Sequence, residues 1–179
     1  MAQELVWLDL EMTGLDPKRH RIIEIATIIT DSDLNIIAEG PDLVIHTHNK
    51  ILERMNDYVH EMHHRSGLLD EVRESKVTME EAENKTIEFL DEHLGTKYRP
   101  PLCGNSIGTD RRFLDAQMNN LERRLHYRVV DVSTIKELAM RWNPQIDARI
   151  PPKTETHRAL DDIIESIEEI KFYRENLFK

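Results

Sequence analysis

Two carboxylates one residue apart, Asp9 and Glu11, stand inside an apolar segment close to the start of the chain. The preceding Val6-Trp7-Leu8 run favours a buried β-strand, where an ionised carboxylate is costly without a cationic partner. Alternate residues of a strand share a face, so the two acids should lie side by side and repel each other. A divalent cation would remove that repulsion. Alternatively, each acid bonds to nearby backbone, or the pair lies at a strand end exposed to water.

A third acid, Asp110, lies on the apolar side of a helix predicted over residues 110–125. At about 100° per residue it falls near the middle of the stripe that faces the core. The helix dipole favours an acid in the first turn, which accounts for the position of Asp110 along the helix but not for its face. The other side chains of that stripe are Phe113, Leu114, Gln117, Met118, Leu121 and Leu125.

His157 and the adjacent acids Asp161 and Asp162 form the last candidate group. The two acids flank the apolar stripe of the final predicted helix on opposite sides, so helical geometry does not choose between them. His157 and Asp162 would be about 140° apart on one helix, so they can face one site only if His157 precedes the helix. The Pro-rich segment 149–155 favours that arrangement, although a lone histidine there is also compatible with a cap or a surface position.

Together these residues supply several carboxylate oxygens and one group that titrates near neutral pH. Such oxygen-rich sites suit Mg²⁺ or Mn²⁺ better than zinc, which prefers histidine and cysteine. Four carboxylates exceed the usual needs of one Mg²⁺ but match two cations, an arrangement suited to in-line attack on phosphodiesters. A zinc site at His60, His63 and His64 is the alternative, and it is not favoured because no cysteine or acid stands at ligand spacing.

The elements that must position these residues begin with strands at 5–10, 21–30 and 34–38, the last continuing near 43–45. Thr78 is the expected N-cap of a helix over residues 79–94. A short apolar run at 102–103 and a segment at 129–132 read as further strands, with helices after 110, after 133 and over 158–176. Three strands followed by alternating helices and strands predict a mixed sheet with helices packed on it. We expect one domain over residues 1–179.

The composition of the chain argues against several classes of protein function. The 179-residue chain carries a net charge of −10, which argues against a protein that coats long nucleic acid but not against a short anionic substrate. Basic side chains concentrate between residues 111 and 128, either as a solvated helix face or as local cations for such a substrate. No apolar run or leader segment indicates membrane insertion or secretion. Cys103, the sole cysteine of the sequence, suits a reducing cytoplasm.

Three segments resemble the exonuclease motifs of the DEDDh family, and the resemblance extends over essentially the whole chain. It is closest to the oligoribonuclease subfamily, because Leu10 and Met12 are typical there, whereas DNA-proofreading relatives tend to carry Thr. The resemblance implies an RNase H-like α/β fold, a mixed β-sheet flanked by α-helices. The matching segments are Asp9-Leu10-Glu11-Met12-Thr13-Gly14-Leu15-Asp16, Gly104-Asn105-Ser106-Ile107-Gly108-Thr109-Asp110-Arg111-Arg112-Phe113-Leu114 and His157-Arg158-Ala159-Leu160-Asp161-Asp162-Ile163.

The resemblance implies a 3′-to-5′ exoribonuclease that releases nucleoside 5′-monophosphates from very short RNA. It selects Asp162 rather than Asp161 as the fourth acid, and it makes His157 the general base that activates the attacking water. Two divalent cations, Mg²⁺ or Mn²⁺, would then be held by Asp9, Glu11, Asp110 and Asp162.

It also implies where the RNA would lie. Leu15 would wedge against the bases and His63 would lie near the second nucleotide. A pocket closed around the 5′ phosphate gives a physical reason for preferring dinucleotides, since a longer chain has nowhere to extend. The side chains expected around that phosphate are Ser106, Arg128 and Ser133.

Members of this family are homodimers, so a second copy of the chain is an expected partner. Tyr127 would reach the partner's site and stack on a base, a contact worth about 1–3 kcal/mol. Two other functions remain as alternatives. A broader exonuclease acting on DNA or on longer RNA would need an open basic channel, for which the sequence offers the 111–128 cluster. A domain that binds nucleic acid or a nucleotide without cutting usually lacks a ligand, whereas all four acids and the histidine are present here.

Overall fold

The computed structural model describes residues 4–152, 154 and 156–178. Its centre is a five-stranded sheet in the order β3-β2-β1-β4-β5. The strand β2 runs antiparallel to both of its neighbours, while β4 and β5 run parallel to β1. The sequence-based prediction of a mixed sheet is therefore confirmed. The strands are β1 Leu5–Met12, β2 Ile22–Thr30, β3 Ile36–Val44, β4 Leu102–Gly104 and β5 Val129–Asp131.

Helices cover both faces of this sheet. Thr78 is confirmed as the N-cap of the helix that begins at Met79. Its hydroxyl accepts from the Glu81 N–H, and the Glu81 carboxylate accepts from the Thr78 N–H. No helix within the described ranges combines the length and the apolar character needed to cross a bilayer. The helices are α1 Asn49–Leu52, α2 Asp57–Arg65, α3 Leu68–Glu74, α4 Met79–Leu94, α5 Gly108–Gln117, α6 Asn119–Arg124, α7 Val132–Trp142, α8 Pro144–Asp147 and α9 Ala159–Leu177.

Side chains of β1 alternate between two apolar layers. Val6, Leu8 and Leu10 belong to the layer that includes side chains of α4, α5 and α6. Trp7 belongs to the opposite layer, with side chains of α7 and α9 such as Ile163. Because odd-numbered residues of β1 share one face, the strand directs Asp9 and Glu11 towards the α9 side of the sheet.

Two predicted elements differ from the structure. The helix expected over residues 110–125 is divided at Met118, whose φ and ψ are −136° and 57°. Glu83 of α4 supports the break, since its Oε1 accepts from the N–H groups of Asn120 at 2.7 Å and Leu121 at 3.0 Å. The third strand also begins later than expected, because Leu34 has a φ of 70° and belongs to the preceding turn.

Candidate metal centre

Asp9 and Glu11 lie on β1, as the alternation of the sequence predicts. Glu11 is buried, whereas Asp9 is partly exposed. The antiparallel register pairs Asp9 with Ala26 and Glu11 with Glu24 of β2. The neighbouring acids are thus held by an ordered pair of strands rather than by a frayed end.

Asp110 occupies the first turn of α5 and is 5% exposed. Its Oδ1 accepts a hydrogen bond from the N–H of Leu10 at 3.1 Å. The parallel pairing of β1 with β4 involves Val6 and Trp7 and does not reach Leu10, which leaves this part of β1 accessible to a side chain from α5. The third acid therefore lies against the peptide that separates the first two.

His157 precedes α9 with a φ of 51°, and Asp162 lies in the first turn of that helix. The sequence predicts that His157 can face the same site as Asp162 only if it precedes the helix. The structure meets this condition. Ligand atoms of Glu11, His157 and Asp162 all lie within 4.8 Å of one another. Asp161 is exposed and stands outside this group.

The carboxyl groups of this centre share an unfavourable environment for negative charge. Burial, together with the charges of Asp110, Glu11 and Asp162, raises the pKa of Asp9 well above its usual range. Burial and the charge of Asp162 raise the pKa of Glu11 to about 9. Burial likewise raises the pKa of Asp110 to about 7. Divalent cations would allow these groups to ionise together, and the hard oxygen donors fit Mg²⁺ or Mn²⁺.

Glu24 is a fifth acid beside these residues, and it is not among those predicted from the sequence. Its side chain is 0% exposed, and its Oε1 accepts from Nε of Arg158 at 2.9 Å. Its Oε2 accepts from the N–H of Ala159 at 3.0 Å. The available signal was a single acid inside the apolar strand segment Ile22-Ile23-Glu24-Ile25-Ala26, the same signal that drew attention to β1.

Arg158 connects the centre to α3 as well. Its two terminal nitrogens donate to the two carboxylate oxygens of Glu71, each at 2.8 Å. This two-pronged contact is the geometry for which a guanidinium is suited. The segment containing His157 is therefore attached both to β2, through Glu24, and to α3, through Glu71.

His63 lies behind Glu11 rather than on an open surface. Its side chain is fully buried, with Nε2 at 2.9 Å from the carbonyl oxygen of Met12 and Nδ1 at 3.8 Å from Oε2 of Glu11. Nε2 must carry the proton in order to donate to that carbonyl, so Nδ1 faces Glu11 as an acceptor. Burial lowers the pKa of His63, which favours this neutral form. Its predicted contact with the second nucleotide stays a prediction.

The three histidines of α2 do not form the alternative zinc site in the part of the chain that the structure describes. The rings of His60 and His64 stack 6.4 Å apart on the exposed side of the helix. His63 is buried on another side, against Met12 and Glu11.

Leu15 projects from the turn after β1 and is 71% exposed. Gln117 of α5 fixes this turn, because its Nε2 donates to the carbonyls of Pro17 at 3.0 Å and His20 at 2.8 Å. Gly14 has a φ of 152°, and a Cβ there would lie 2.6 Å from the His20 ring. The exposed leucine thus stands on a tightly held turn, in keeping with its predicted contact with bases.

Ser106 and Ser133 lie together where the chain leaves β4 and β5. Their hydroxyl oxygens are 3.1 Å apart, and the N–H of Ser106 donates to Oγ of Ser133 at 2.9 Å. Asp131 accepts from the N–H groups of both residues through Oδ1, at 3.0 Å for Ser106 and 2.9 Å for Ser133. These bonds hold Ser106 at a φ of 52°, which is uncommon for a residue with a side chain.

Tyr127 and Arg128 occupy an exposed loop before β5. Tyr127 is 73% exposed, and the Arg128 guanidinium carbon lies 5.6 Å from the centre of its ring. Arg111 of α5 supports the loop, since its Nη1 donates to the carbonyls of His126 at 2.8 Å and Tyr127 at 3.2 Å. Arg111 is itself paired with Glu122 at 2.7 Å.

A cavity of about 900 Å³ opens beside His157 of the candidate metal centre. One wall is α2, with Tyr58 and Arg65, and another is the segment before α9, with Thr156 and His157. The exposed aromatic ring of Tyr58 and the cation of Arg65 suit a ligand with a base and a phosphate. The cavity has room for a small part of a nucleic-acid chain next to the grouped acids.

The known proteins that this chain resembles in sequence are exonucleases, and those described below are oligoribonucleases. Residues 6–170 match the model of the RNase T family, which is described as exonuclease. The chain is 54% identical over 177 residues to an oligoribonuclease of Vibrio parahaemolyticus, covering 99% of this chain and 97% of that one. It is 51% identical to an oligoribonuclease of Corynebacterium glutamicum over 97% of this chain and 80% of the relative. A mitochondrial oligoribonuclease of Mus musculus is 50% identical over 100% of this chain and 75% of the relative.

Solved structures of exonuclease I share the fold. The enzyme from Methylocaldum szegediense superposes with a TM-score of 0.73 at 20% identity, covering 98% of this chain. A zinc-bound complex of E. coli exonuclease I with single-stranded DNA gives a TM-score of 0.73 at 15% identity over 99% of this chain. The chain spans about two-fifths of these structures, 41% in each case. The predicted RNase H-like architecture is thereby confirmed.

Proposed function

Because the chain belongs to the exonuclease family, and within it to the oligoribonucleases, we propose that it is a metal-dependent exoribonuclease that degrades short single-stranded RNA from the 3′ end. Its products would be nucleoside 5′-monophosphates. The observation that carries the proposal is the convergence of Glu11, His157 and Asp162 within 4.8 Å, next to two further acids on β1 and α5. We also propose that residues 1–179 act as one exonuclease domain.

Asp9, Glu11, Asp110 and Asp162 would hold two cations, Mg²⁺ or Mn²⁺. When bound, the cations would offset the charges of these carboxylates, polarise water and the scissile phosphodiester, and stabilise the departing 3′ oxygen. The protein prepares the site by fixing its ligands on rigid elements. Leu10 orients Asp110 through its N–H, while His63 packs behind Glu11 and limits where that carboxylate can move.

His157 would act as the general base and take a proton from the attacking water on a ring nitrogen. Histidine suits this role because it titrates near neutral pH. Arg158 and the start of α9 hold the segment from which the ring projects. His157 has a φ of 51° in this segment, and one of its ring nitrogens lies within 4.8 Å of ligand atoms of Glu11 and Asp162.

The substrate contacts remain proposals that follow from family membership, and for Leu15 they are supported by its exposure. Leu15 would wedge against bases from its fixed turn, and His63 would lie near the second nucleotide. Tyr58 and Arg65 in the cavity beside His157 offer further contacts. We propose that Ser106, Arg128 and Ser133 enclose the 5′ phosphate and thereby favour dinucleotides.

We further propose that two copies of the chain associate. Tyr127 is 73% exposed and stands on a loop held by Arg111, so its ring is available to a neighbouring copy rather than to its own core. In such a homodimer Tyr127 would stack on a base in the partner's site. A reducing, cytoplasmic setting agrees with the fully buried free thiol of Cys103.

The decisive assay uses 5′-labelled RNAs of two, seven and twenty nucleotides, with Mn²⁺ or with a chelator. We expect metal-dependent cleavage that is fastest for the dinucleotide and is abolished in Asp110→Asn. Asp115→Asn on the exposed side of α5 is the matched control and should cleave like the wild type. Cleavage without metal, or an active Asp110→Asn variant, would contradict the mechanism.

The same experiment separates this function from its rival. Equal cleavage of the twenty-nucleotide RNA and the dinucleotide, or faster cleavage of DNA of matched sequence, would instead indicate a broader 3′-to-5′ exonuclease. Binding of all substrates without cleavage would indicate a binding domain.

A further inference from the structure

Asn105 follows β4 and bonds in two directions across the end of the sheet. Its Oδ1 accepts from the hydroxyl of Ser133 at 3.0 Å. Its Nδ2 donates to Oγ of Ser166 on α9 at 2.8 Å and approaches Oε2 of Glu169 at 3.3 Å. One amide therefore spans from the first turn of α7 to α9.

The directions of these hydrogen bonds follow from the donors available. The hydroxyl hydrogen of Ser166 goes to the carbonyl of Asp162 at 2.7 Å, so Ser166 accepts from the Asn105 amide. Ser133 has one hydroxyl hydrogen, and it is given to Oδ1 of Asn105. Its oxygen accepts from the N–H of Ser106 at 2.9 Å, which leaves the Ser106 hydroxyl, 3.1 Å away, able to donate to a phosphate. The result is an ordered series that runs from Ser106 to the backbone of Asp162.

Asn105 joins two parts with different proposed tasks. At one end are the hydroxyls of Ser106 and Ser133 at the base of the proposed phosphate pocket, where Asp131 accepts from the backbone N–H groups of both residues. At the other end is the turn of α9 that carries Asp162. The separation between a 5′-phosphate pocket and a metal centre decides which substrate length fits both. An amide that fixes this separation therefore bears on specificity.

We propose that Asn105 is a positioning residue that couples the 5′-phosphate pocket to the metal centre and so sets the preference for a phosphorylated dinucleotide. This inference rests on the proposed function, since it deepens the account of the same site. Asn105 acts through Ser133 and Ser166, which its amide holds, and not by reacting with the substrate.

Two substitutions separate the two ends of the coupling. Ser166→Ala leaves the Asn105–Ser133 bond and every charge in place but removes the acceptor for the Asn105 amide at the α9 end. Asn105→Ala removes both bonds. If the coupling determines specificity, both variants should lose the preference for the 5′-phosphate, whereas a role in shaping the pocket alone would spare Ser166→Ala.

The readout is the ratio of kcat/KM for a 5′-phosphorylated dinucleotide to that for the same dinucleotide with a 5′-hydroxyl. Both substrates present the same scissile bond, so general damage to the metal centre lowers both rates and leaves the ratio unchanged. We expect the ratio to fall about tenfold in both variants, the effect of losing a well-placed bond to a charged group. Asn119→Ala, which removes an amide bonded to Asp115, is the control and should keep the wild-type ratio.

The outcomes are distinguishable. A wild type that cleaves neither dinucleotide would overturn the proposed function and the role of Asn105 with it. A wild type that cleaves both equally would overturn the phosphate pocket and the coupling, but not the nuclease. A wild type that prefers the phosphorylated form, together with a Ser166→Ala variant of unchanged ratio, would overturn the coupling alone. Thermal unfolding midpoints of all variants would show whether each is folded.

Discussion

Glu11 and Glu24 face each other on neighbouring strands, yet their negative charges have different partners. Glu24 receives a guanidinium and a backbone N–H, which offset its charge within the protein. Glu11 lies among other acids, and burial raises its pKa to about 9. Glu24 therefore has a structural task, whereas the acidic surroundings of Glu11 support its proposed role as a ligand for a cation.

The same raised pKa values predict how stability depends on pH without metal. Unfolded carboxyls ionise near pH 4, whereas folded Glu11 and Asp110 do so near 9 and 7. Between these limits the folded protein binds more protons than the unfolded chain, so its free energy of unfolding falls as pH rises. We expect chelator-treated protein to lose stability from about pH 5 to about pH 9, as measured by urea denaturation. Stability that rises over this interval would contradict the assignment.

Asp110→Asn should weaken that dependence, because the amide carries no charge and can still accept from Leu10. At pH 8 and without metal, the variant should exceed the wild type by on the order of 1–3 kcal/mol in free energy of unfolding. Saturating Mn²⁺ should reverse the order by stabilising the wild type more. A variant that is less stable than the wild type without metal would indicate that Asp110 is structural.

Replacement of His157 tests its role separately from metal binding. As general base it should contribute about 10²–10⁴ to the rate, so His157→Gln should lower kcat by that factor. Calorimetric affinity for Mn²⁺ should change little, since four carboxylates remain. His64→Gln, on the exposed side of α2, serves as the control. A large loss of Mn²⁺ affinity in His157→Gln would make the histidine a ligand instead.

At the scale of elements, Arg158 fixes the start of α9 by pairing with two acids, the buried Glu24 and the exposed Glu71. Removing one partner of a buried ion pair costs about 3–5 kcal/mol, whereas an exposed pair contributes about 0–1 kcal/mol. Glu24→Gln should therefore approach the first range, and Glu71→Gln, at a side chain that is 48% exposed, should stay within the second. Urea denaturation of both variants would test this, and equal losses would contradict it.

Helix and strand boundaries were predictable where the sequence carries a local signal. The Thr78–Glu81 capping box marks the start of α4, and its apolar spacing marks the length, so the predicted residues 79–94 are confirmed. The division between α5 and α6 was not predictable from this pattern. It depends on Glu83, which lies more than thirty positions earlier in the chain and supplies acceptors to α6.

The residues of the candidate site were also predictable only where the signal is local in sequence. Paired acids on a strand and an acid on an apolar helix face are local patterns, and they led to Asp9, Glu11 and Asp110. Geometry alone did not choose between Asp161 and Asp162, because both flank the stripe of α9. Glu24 was overlooked because the residue that offsets its charge, Arg158, is 134 positions away in sequence.

At the scale of the whole molecule, the proposed homodimer makes a prediction about mixtures. Asp110→Asn and Tyr127→Ala should each impair dinucleotide cleavage as pure proteins. If Tyr127 serves the partner's site, a mixed dimer contains one site with intact acids and an intact tyrosine from the other subunit. After subunit exchange, an equal mixture should recover about a quarter of the wild-type activity. No recovery in a mixture shown to exchange subunits would place Tyr127 in its own subunit's site.

Cys103 sits on β4, between β1 and β5, and its side chain is fully buried. Burial raises the pKa of its thiol, so the reactive thiolate is suppressed while the sheet is intact. A thiol reagent can therefore label the protein only when the middle of the sheet opens. Since this is the sole cysteine in the sequence, the labelling rate is a built-in gauge of that opening. Followed as a function of Mn²⁺ concentration, it would show how far occupancy of the acids at the end of β1 keeps the sheet closed.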